Sequence, residues 1–220
     1  MKKPSKACLF DLDGVLVDTA GYHFKAWRKL ANKLGFDFTE VQNEELKGIS
    51  RMESLNKILG WGGISLSETE KEALATAKNN DYVAMISTMT PAEVLPGAVR
   101  FLKDIKAAGY RIALGSASKN AGLILARTGL ESFFDAIVDG NRVSRSKPDP
   151  EVFLAGARML QVEPEQCIVL EDAVAGIEAA RRAGMKAIGI GDAAVLQEAD
   201  IVVPGLDRLT VARLARLDEF

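Results

Sequence analysis

Short apolar runs in this chain end repeatedly in residues that could handle a phosphoryl group. Ala7-Cys8-Leu9-Phe10 runs into Asp11-Leu12-Asp13, and Ile168-Val169-Leu170 runs into Glu171-Asp172. Ser116-Ala117-Ser118-Lys119-Asn120 follows another apolar run, and Lys147 stands in Ser146-Lys147-Pro148. Acids clustered without His or Cys suit a hard divalent cation such as Mg²⁺, which keeps several waters and takes phosphate oxygens as further ligands. Lys147 would balance the charge of a phosphoryl group, and Ser116 would donate a hydrogen bond to it. Positioning and charge neutralisation of that kind supply most of the catalysis in phosphoryl transfer. One aspartate could serve as a nucleophile and form an aspartyl phosphate. A second carboxyl two residues away could give a proton to the leaving oxygen and take one from the incoming group.

These residues need a scaffold that gathers them. Ala7–Asp11 reads as a short buried strand, and strand and helix patterns alternate from about residue 96 onward. A helix from Pro96-Gly97 through Ala108 precedes the strand Arg111–Gly115. A helix near 119–128 leads to the strand Ala136–Val138, and one over Pro150–Leu160 leads to Ile168–Leu170. A helix over Ala173–Ala183 leads to Ala187–Gly189, Ile201–Val203 is a last strand, and a short helix closes the chain. This alternation predicts right-handed crossovers and a doubly wound parallel α/β sheet, whose ligands bind beyond the carboxyl ends of the strands. All the polar clusters above fall at such ends.

Between Thr19 and about Thr88 no strand pattern appears. Phe24, Trp27, Leu30, Ala31 and Leu34 recur at helical spacing, as do Leu55, Ile58 and Leu59, and Ser67 with Glu70 forms a capping box. The expectation is a Rossmann-like core over residues 1–17 and 90–220 with an inserted helical cap over 18–89. Two linkers would join them as a hinge.

The composition narrows the partners. Twenty-eight Lys+Arg against 30 Asp+Glu give a net charge of −2, without the basic excess of a nucleic-acid binder. Cys8 and Cys167 sit in apolar runs and read as small buried hydrophobes. With a single histidine, His23, and no close Cys/His cluster, a structural zinc site is not expected. The apolar run after Lys2, Lys3 and Lys6 is too short for a signal peptide, and no stretch is long enough to span a membrane. The expectation is a cytoplasmic monomer acting on a small molecule, with no nucleic-acid or membrane partner.

Phe10-Asp11-Leu12-Asp13-Gly14-Val15-Leu16-Val17-Asp18-Thr19 resembles the first motif of the haloacid dehalogenase-like phosphotransferases. Gly115-Ser116-Ala117-Ser118 is similar to their second motif and Ser146-Lys147-Pro148-Asp149-Pro150 to their third. Leu170-Glu171-Asp172, with Gly176-Ile177 and Ala179-Ala180, is similar to their fourth. The four occur in order over nearly the whole core. Within the family, Asp18-Thr19-Ala20, His23 with Ala26-Trp27, Leu46-Lys47-Gly48-Ile49-Ser50-Arg51 and Glu93-Val94-Leu95-Pro96-Gly97 look most like its sugar-phosphate mutases. The resemblance implies interconversion of β-glucose 1-phosphate and glucose 6-phosphate through a bisphosphate, with Mg²⁺.

On this reading Asp11 is the nucleophile and Asp13 the general acid/base, with Ser116 and Lys147 holding the transferring phosphoryl. Mg²⁺ is bound by Asp11, the backbone carbonyl of Asp13, Glu171 and Asp172. Thr19, His23, Trp27, Lys47, Gly48, Ile49 and Arg51 would meet the substrate from the cap side, and Ser116, Ala117, Ser118, Lys119 and Asn120 from the core. His23 is read as acting in closure of the cap or in tuning Asp13, and Trp27 as either core or sugar-facing. Lys78, on a charged helix, is read as a solvated face or as a hinge contact to His23. A phosphatase on the same scaffold differs in letting water attack the aspartyl phosphate. A phospho-accepting signalling module would need neither Asp13 nor a cap.

Overall fold

The computed structural model describes residues 6–217. Among them a parallel six-stranded sheet forms in the order β3-β2-β1-β4-β5-β6. The strands are β1 (Ala7–Phe10), β2 (Arg111–Gly115), β3 (Ala136–Val138), β4 (Cys167–Glu171), β5 (Lys186–Ile190) and β6 (Ile201–Val203). β1 lies at the centre, with Phe10 opposite Leu114 on one side and Leu170 on the other. That register brings Asp11, Ser116 and Glu171 to one edge of the sheet, which is why acids distant in sequence become neighbours.

The inner strands are apolar on both faces because helices cover both. Cys8 and Phe10 pack with Phe101, Leu102 and Ile105 of α5 (Ala98–Ala107), and with Ile124 and Leu125 of α6 (Ala121–Thr128). Ala7 and Leu9 face the opposite layer, where Val152 and Phe153 of α7 (Glu151–Leu160) and Ile177 and Ala180 of α8 (Val174–Arg182) cover them. Cys8 and Cys167 are buried free thiols, one in each layer. α9 (Val211–Arg216) closes the first layer through Leu214.

Between β1 and β2 the chain leaves the sheet to build four helices: α1 (Ala20–Lys33), α2 (Glu40–Glu44), α3 (Arg51–Trp61) and α4 (Glu68–Ile86). They enclose their own apolar core of Trp27, Leu30, Phe38, Leu55, Ile58 and Leu59. Truncating a fully buried residue of that core such as Leu55 to alanine would cost about 2–5 kcal/mol. Complete capping boxes start α2 (Thr39 with Gln42), α3 (Ser50 with Glu53) and α4 (Ser67 with Glu70).

The two connections between lid and sheet run side by side. Val17 and Val94 form an antiparallel bridge. The Asp18 N–H donates to the Glu93 carbonyl at 3.0 Å, and the Leu95 N–H donates to the Leu16 carbonyl at 2.9 Å. Among the described residues no helix is long and apolar enough to cross a membrane.

Element boundaries shift by a residue or two from the sequence reading. β1 ends at Phe10, since the chain turns at Asp11, and α6 begins at Ala121. α7 begins at Glu151, whose N–H donates to Asp149 Oδ1 at 3.0 Å.

Candidate active site

A cavity of about 1050 Å³ lies between the lid and the carboxyl edge of the sheet. Asp11, Asp13, Lys147 and Asp172 line it from the core, together with Ala117, Ser118, Lys119 and Asn120. Thr19, His23, Trp27, Lys47, Gly48, Ile49 and Arg51 line it from the lid side. Ser116 and Glu171 are fully buried and sit behind this lining rather than in it.

The core side is organised around Lys147. Its Nζ lies 2.6 Å from Asp11 Oδ1 and 2.6 Å from Glu171 Oε1. Burial alone would lower the ammonium's pKa, but the two carboxylates hold it well above the ordinary lysine value. Asp11 Oδ2 accepts the Asp13 N–H at 3.0 Å, a bond within the turn that aims both aspartates at the cavity. Gly14 completes that turn at φ 80°, and a side chain there would run into Asp172. Glu171 is anchored further by the Ala173 N–H at 2.8 Å. Ser116 Oγ accepts the Ser118 N–H at 3.1 Å, which leaves its own hydroxyl proton to donate.

Asp13 differs from its neighbour. Burial first, and then the charge of Asp11, push its carboxyl up to about 7, against a hydrogen bond donated by the Thr19 hydroxyl to Asp13 Oδ1. A group that holds a proton near neutrality and can also release it is suited to general acid/base work.

Asp11, Glu171 and Asp172 can each bring a carboxylate oxygen within 4.8 Å of the others. Burial, and then Glu171 and Asp11, hold the Asp172 carboxyl well above the ordinary range. The near cations are Lys147, already shared by two of the acids, and Lys47, 3.4 Å from Asp172 Oδ2. Two buried acids and a partly buried third against that supply of positive charge, all offering oxygen, make a donor set that fits a hard divalent cation. The Asp13 carboxylate is not one of the three.

On the lid, Arg51 occupies the first turn of α3, half-buried, and among the described residues no carboxylate lies within ion-pair distance of it. Burial lowers its guanidinium pKa from the ordinary value. Lys47 is turned onto acids, with its Nζ 2.7 Å from Glu44 Oε2 as well as near Asp172. Gly48, at φ 75°, brings the lid backbone against Ala173. Trp27 belongs to both settings that the sequence left open, packed in the lid core and facing the cavity.

Of the two readings the sequence left open for Lys78, the structure overturns the solvated face and bears out the contact to His23. Lys78 is 3 % exposed rather than solvated. Its Nζ lies 3.2 Å from His23 Nδ1 and over the rings of Trp27 and Tyr82. The spacing Ala75, Lys78, Tyr82, Ile86 forms the buried stripe of α4, and the charged residues around it mask that period. Burial, and then the charge of Arg51, lower its amine to about 7. Burial and the neighbouring Lys78 hold the His23 imidazole well below its ordinary value.

Two other residues were not legible as site residues. Asn79 Oδ1 accepts from Asn120 Nδ2 at 2.9 Å, joining α4 of the lid to the core. Tyr82 stacks on His23 with ring centroids 4.2 Å apart. Position on α4 one residue and one turn beyond Lys78 is the signal that would have found them.

Comparison with known proteins agrees with this layout. The family description "haloacid dehalogenase-like hydrolase" matches residues 5–184. A β-phosphoglucomutase of Bacillus subtilis is 46% identical over 95% of this chain and 93% of its own length. A phosphorylated carbohydrates phosphatase of Thermotoga maritima is 31% identical over 90% of this chain and 92% of its own. The crystal structure of a β-phosphoglucomutase from Clostridium difficile superposes with a TM-score of 0.94 at 45% identity, covering 98% of this chain and 97% of that one. With the sheet, the inserted lid and the motifs all in place, the chain belongs to the haloacid dehalogenase-like hydrolases.

Proposed function

We propose that the chain is a Mg²⁺-dependent β-phosphoglucomutase, interconverting β-glucose 1-phosphate and glucose 6-phosphate through an aspartyl-phosphate enzyme and a glucose 1,6-bisphosphate. The observation that carries this reading is the pairing of Arg51 with the Asp11–Lys147–Glu171 cluster. One half-buried guanidinium without a carboxylate lies on the lid side of the cavity, and a phosphoryl-handling cluster lies on the core side. A bisphosphate needs a grip at each end. Planar guanidinium suits the second phosphate because it can bind it bidentately.

Phosphorylated Asp11 would transfer its phosphoryl group to the 6-hydroxyl of β-glucose 1-phosphate. Asp13 takes the hydroxyl proton as the new P–O bond forms and the bond to Asp11 breaks. The bisphosphate turns over, and Asp11 attacks the phosphorus on C1. Asp13 returns its proton to the C1 oxygen, and glucose 6-phosphate leaves. A carboxyl pushed up to about 7 is suited to both halves of that exchange. Lys147 and Ser116 would hold the transferring phosphoryl, and Lys119 and Asn120 with Arg51 and the Gly48 backbone the far one. When bound by Asp11, Glu171, Asp172 and the Asp13 carbonyl, Mg²⁺ would neutralise charge on the phosphoryl oxygens. All these groups come from one chain, in keeping with a monomer whose core is 1–17 with 90–220 and whose cap is 18–89.

The similarity to a β-phosphoglucomutase over 95% of the chain supports the mutase over a phosphatase. The test is to supply β-glucose 1-phosphate, Mg²⁺ and a trace of bisphosphate, and to follow glucose 6-phosphate against free phosphate. Glucose 6-phosphate in large excess is expected. Stoichiometric free phosphate would instead make the protein a phosphatase.

A further inference from the structure

Glu53 and Ser146 line the cavity, and the chemistry above uses neither. They come from opposite sides of the cleft. Glu53 is in the first turn of lid helix α3, two residues after Arg51. Ser146 immediately precedes Lys147 on the core loop. The Ser146 hydroxyl donates to Glu53 Oε2. The same carboxylate oxygen accepts the Ser50 N–H at 3.0 Å and the Ser50 hydroxyl at 2.7 Å. One oxygen thus ends the lid helix and touches the core. Against the effect of burial, these donors hold the Glu53 carboxyl below its ordinary range, so it is charged throughout the neutral region.

The core loop has its shape from other bonds. Glu151 accepts the N–H groups of Ser144 at 3.1 Å and Arg145 at 2.8 Å. Arg145 pairs with Asp149 at 3.1 Å, and the Asp149 N–H donates to the Ser146 carbonyl at 3.0 Å. None of these involves the Ser146 hydroxyl, whose bond goes across to the lid. Opening the lid breaks that bond and leaves both the capping box and the loop intact.

We propose that the Glu53–Ser146 hydrogen bond is a latch that closes the first turn of α3 onto the Lys147 loop, so that Arg51 and Lys147 are seated together. Glu53 and Ser146 are then positioning residues. The proposal rests on the mutase reading for the role given to Arg51. A substrate reaching both ends of the cavity gains from the latch, and a small phosphoryl donor that needs only the core does not.

The test compares Ser146→Ala with wild type. KM for β-glucose 1-phosphate is expected to rise about 5- to 10-fold, the worth of one such hydrogen bond, with kcat changed less than about twofold. Hydrolysis of acetyl phosphate should be unchanged, and small-angle scattering of the unliganded variant should give a larger radius of gyration. Ser146→Thr, which keeps the hydroxyl, should restore both. Glu53→Ala should raise KM as well, and adding Ser146→Ala to it should raise KM no further, because both remove one bond. Ser50→Ala, which weakens the helix cap and spares the latch, separates loss of capping from loss of the bridge. Wild-type KM and radius of gyration in Ser146→Ala would overturn the proposal. So would a parallel loss of acetyl phosphate hydrolysis, which would make Ser146 a support of Lys147 within the core. If wild type releases free phosphate instead of glucose 6-phosphate, the mutase reading fails separately, and the scattering comparison still decides the latch.

Discussion

Lys78 Nζ stands 3.2 Å from His23 Nδ1, joining α4 to α1 inside the lid. The amine lies 4.2 Å from the Trp27 ring centroid and 4.7 Å from that of Tyr82. Its hydrogen-bond acceptor is an imidazole, not a carboxylate, so no anion in direct contact offsets the cost of burying its charge, and the two rings offset only part of it.

The pH dependence of stability follows from that site. The Lys78 pKa falls from the ordinary 10.5 to about 7. Between those values the unfolded chain holds a proton that the folded chain has lost, so the contribution to stability rises with pH across that window. Below about 7 both states are charged and the burial penalty is felt in full. His23, also depressed, adds a rise below its ordinary 6.5. In urea unfolding, Lys78→Met should exceed wild type by a few kcal/mol at the acid end, and that advantage should fade as pH rises across the window. The raised pKa values of the buried Cys8 and Cys167 thiols act with the opposite sign but are common to both proteins, so the difference isolates Lys78. An equal slope in the variant would show that Lys78 does not carry the pH dependence.

Removing Lys147 should damage stability as well as activity. Lys147→Met leaves Asp11 and Glu171 buried without the cation between them, a loss on the order of 3–5 kcal/mol. The measurement is the shift in urea midpoint for Lys147→Met. Mg²⁺ should recover part of that shift in the variant, since the carboxylates it would bind are then uncompensated.

Metal removal is expected to abolish turnover. Chelation by EDTA should stop sugar-phosphate conversion, and Mg²⁺ should raise the unfolding temperature of wild type. The double change Glu171→Gln with Asp172→Asn should greatly raise the Mg²⁺ concentration needed for half-maximal rate. Activity that persists in EDTA would refute the oxygen-ligand reading.

Arg51→Ala should separate the two ends of the cavity. Loss of a charged contact to the far phosphate is worth about 2–4 kcal/mol, or roughly 30- to 1,000-fold in phosphoglucomutase activity. Acetyl phosphate hydrolysis, which needs only the Asp11 end, should fall far less. Parallel loss of both rates would place Arg51 in the fold or in the chemistry.

Gly48→Ala should act on closure. The glycine has φ 75°, and an added methyl would stand 3.1 Å from the Ala173 side chain. Both effects oppose seating the lid, so KM should rise while unliganded stability falls by about 1–2 kcal/mol. Unchanged KM would mean that the lid does not approach the core at this point during catalysis.

The core was legible because β1, β2 and β4 carry their chemistry at their ends. Asp11, Ser116 and Glu171 each follow an apolar run, and a parallel sheet with β1 in the middle has to bring them together. What the sequence obscured depends on packing between elements distant along the chain. Lys78 looks solvated because α4 carries charges around its buried stripe, and only its packing against His23, Trp27 and Tyr82 shows the stripe to be an inside face. Asn79 acquires a role from Asn120, 41 residues away. Ser116 and Glu171 were identified by type, but no pattern in the sequence showed them lying behind the cavity wall rather than in it.

The bridge between Val17 and Val94 makes the lid's entry and exit a single place beside the sheet. From the standpoint of the core, the whole excursion from α1 to α4 is one very long hairpin loop, closed at its base by the bonds between Asp18 and Glu93 and between Leu16 and Leu95. The sheet therefore keeps its strand order and register whatever hangs from that base. Lids of other sizes and shapes could replace this one without re-routing a strand, leaving Asp11, Lys147 and Glu171 to serve whichever substrate the new lid admits.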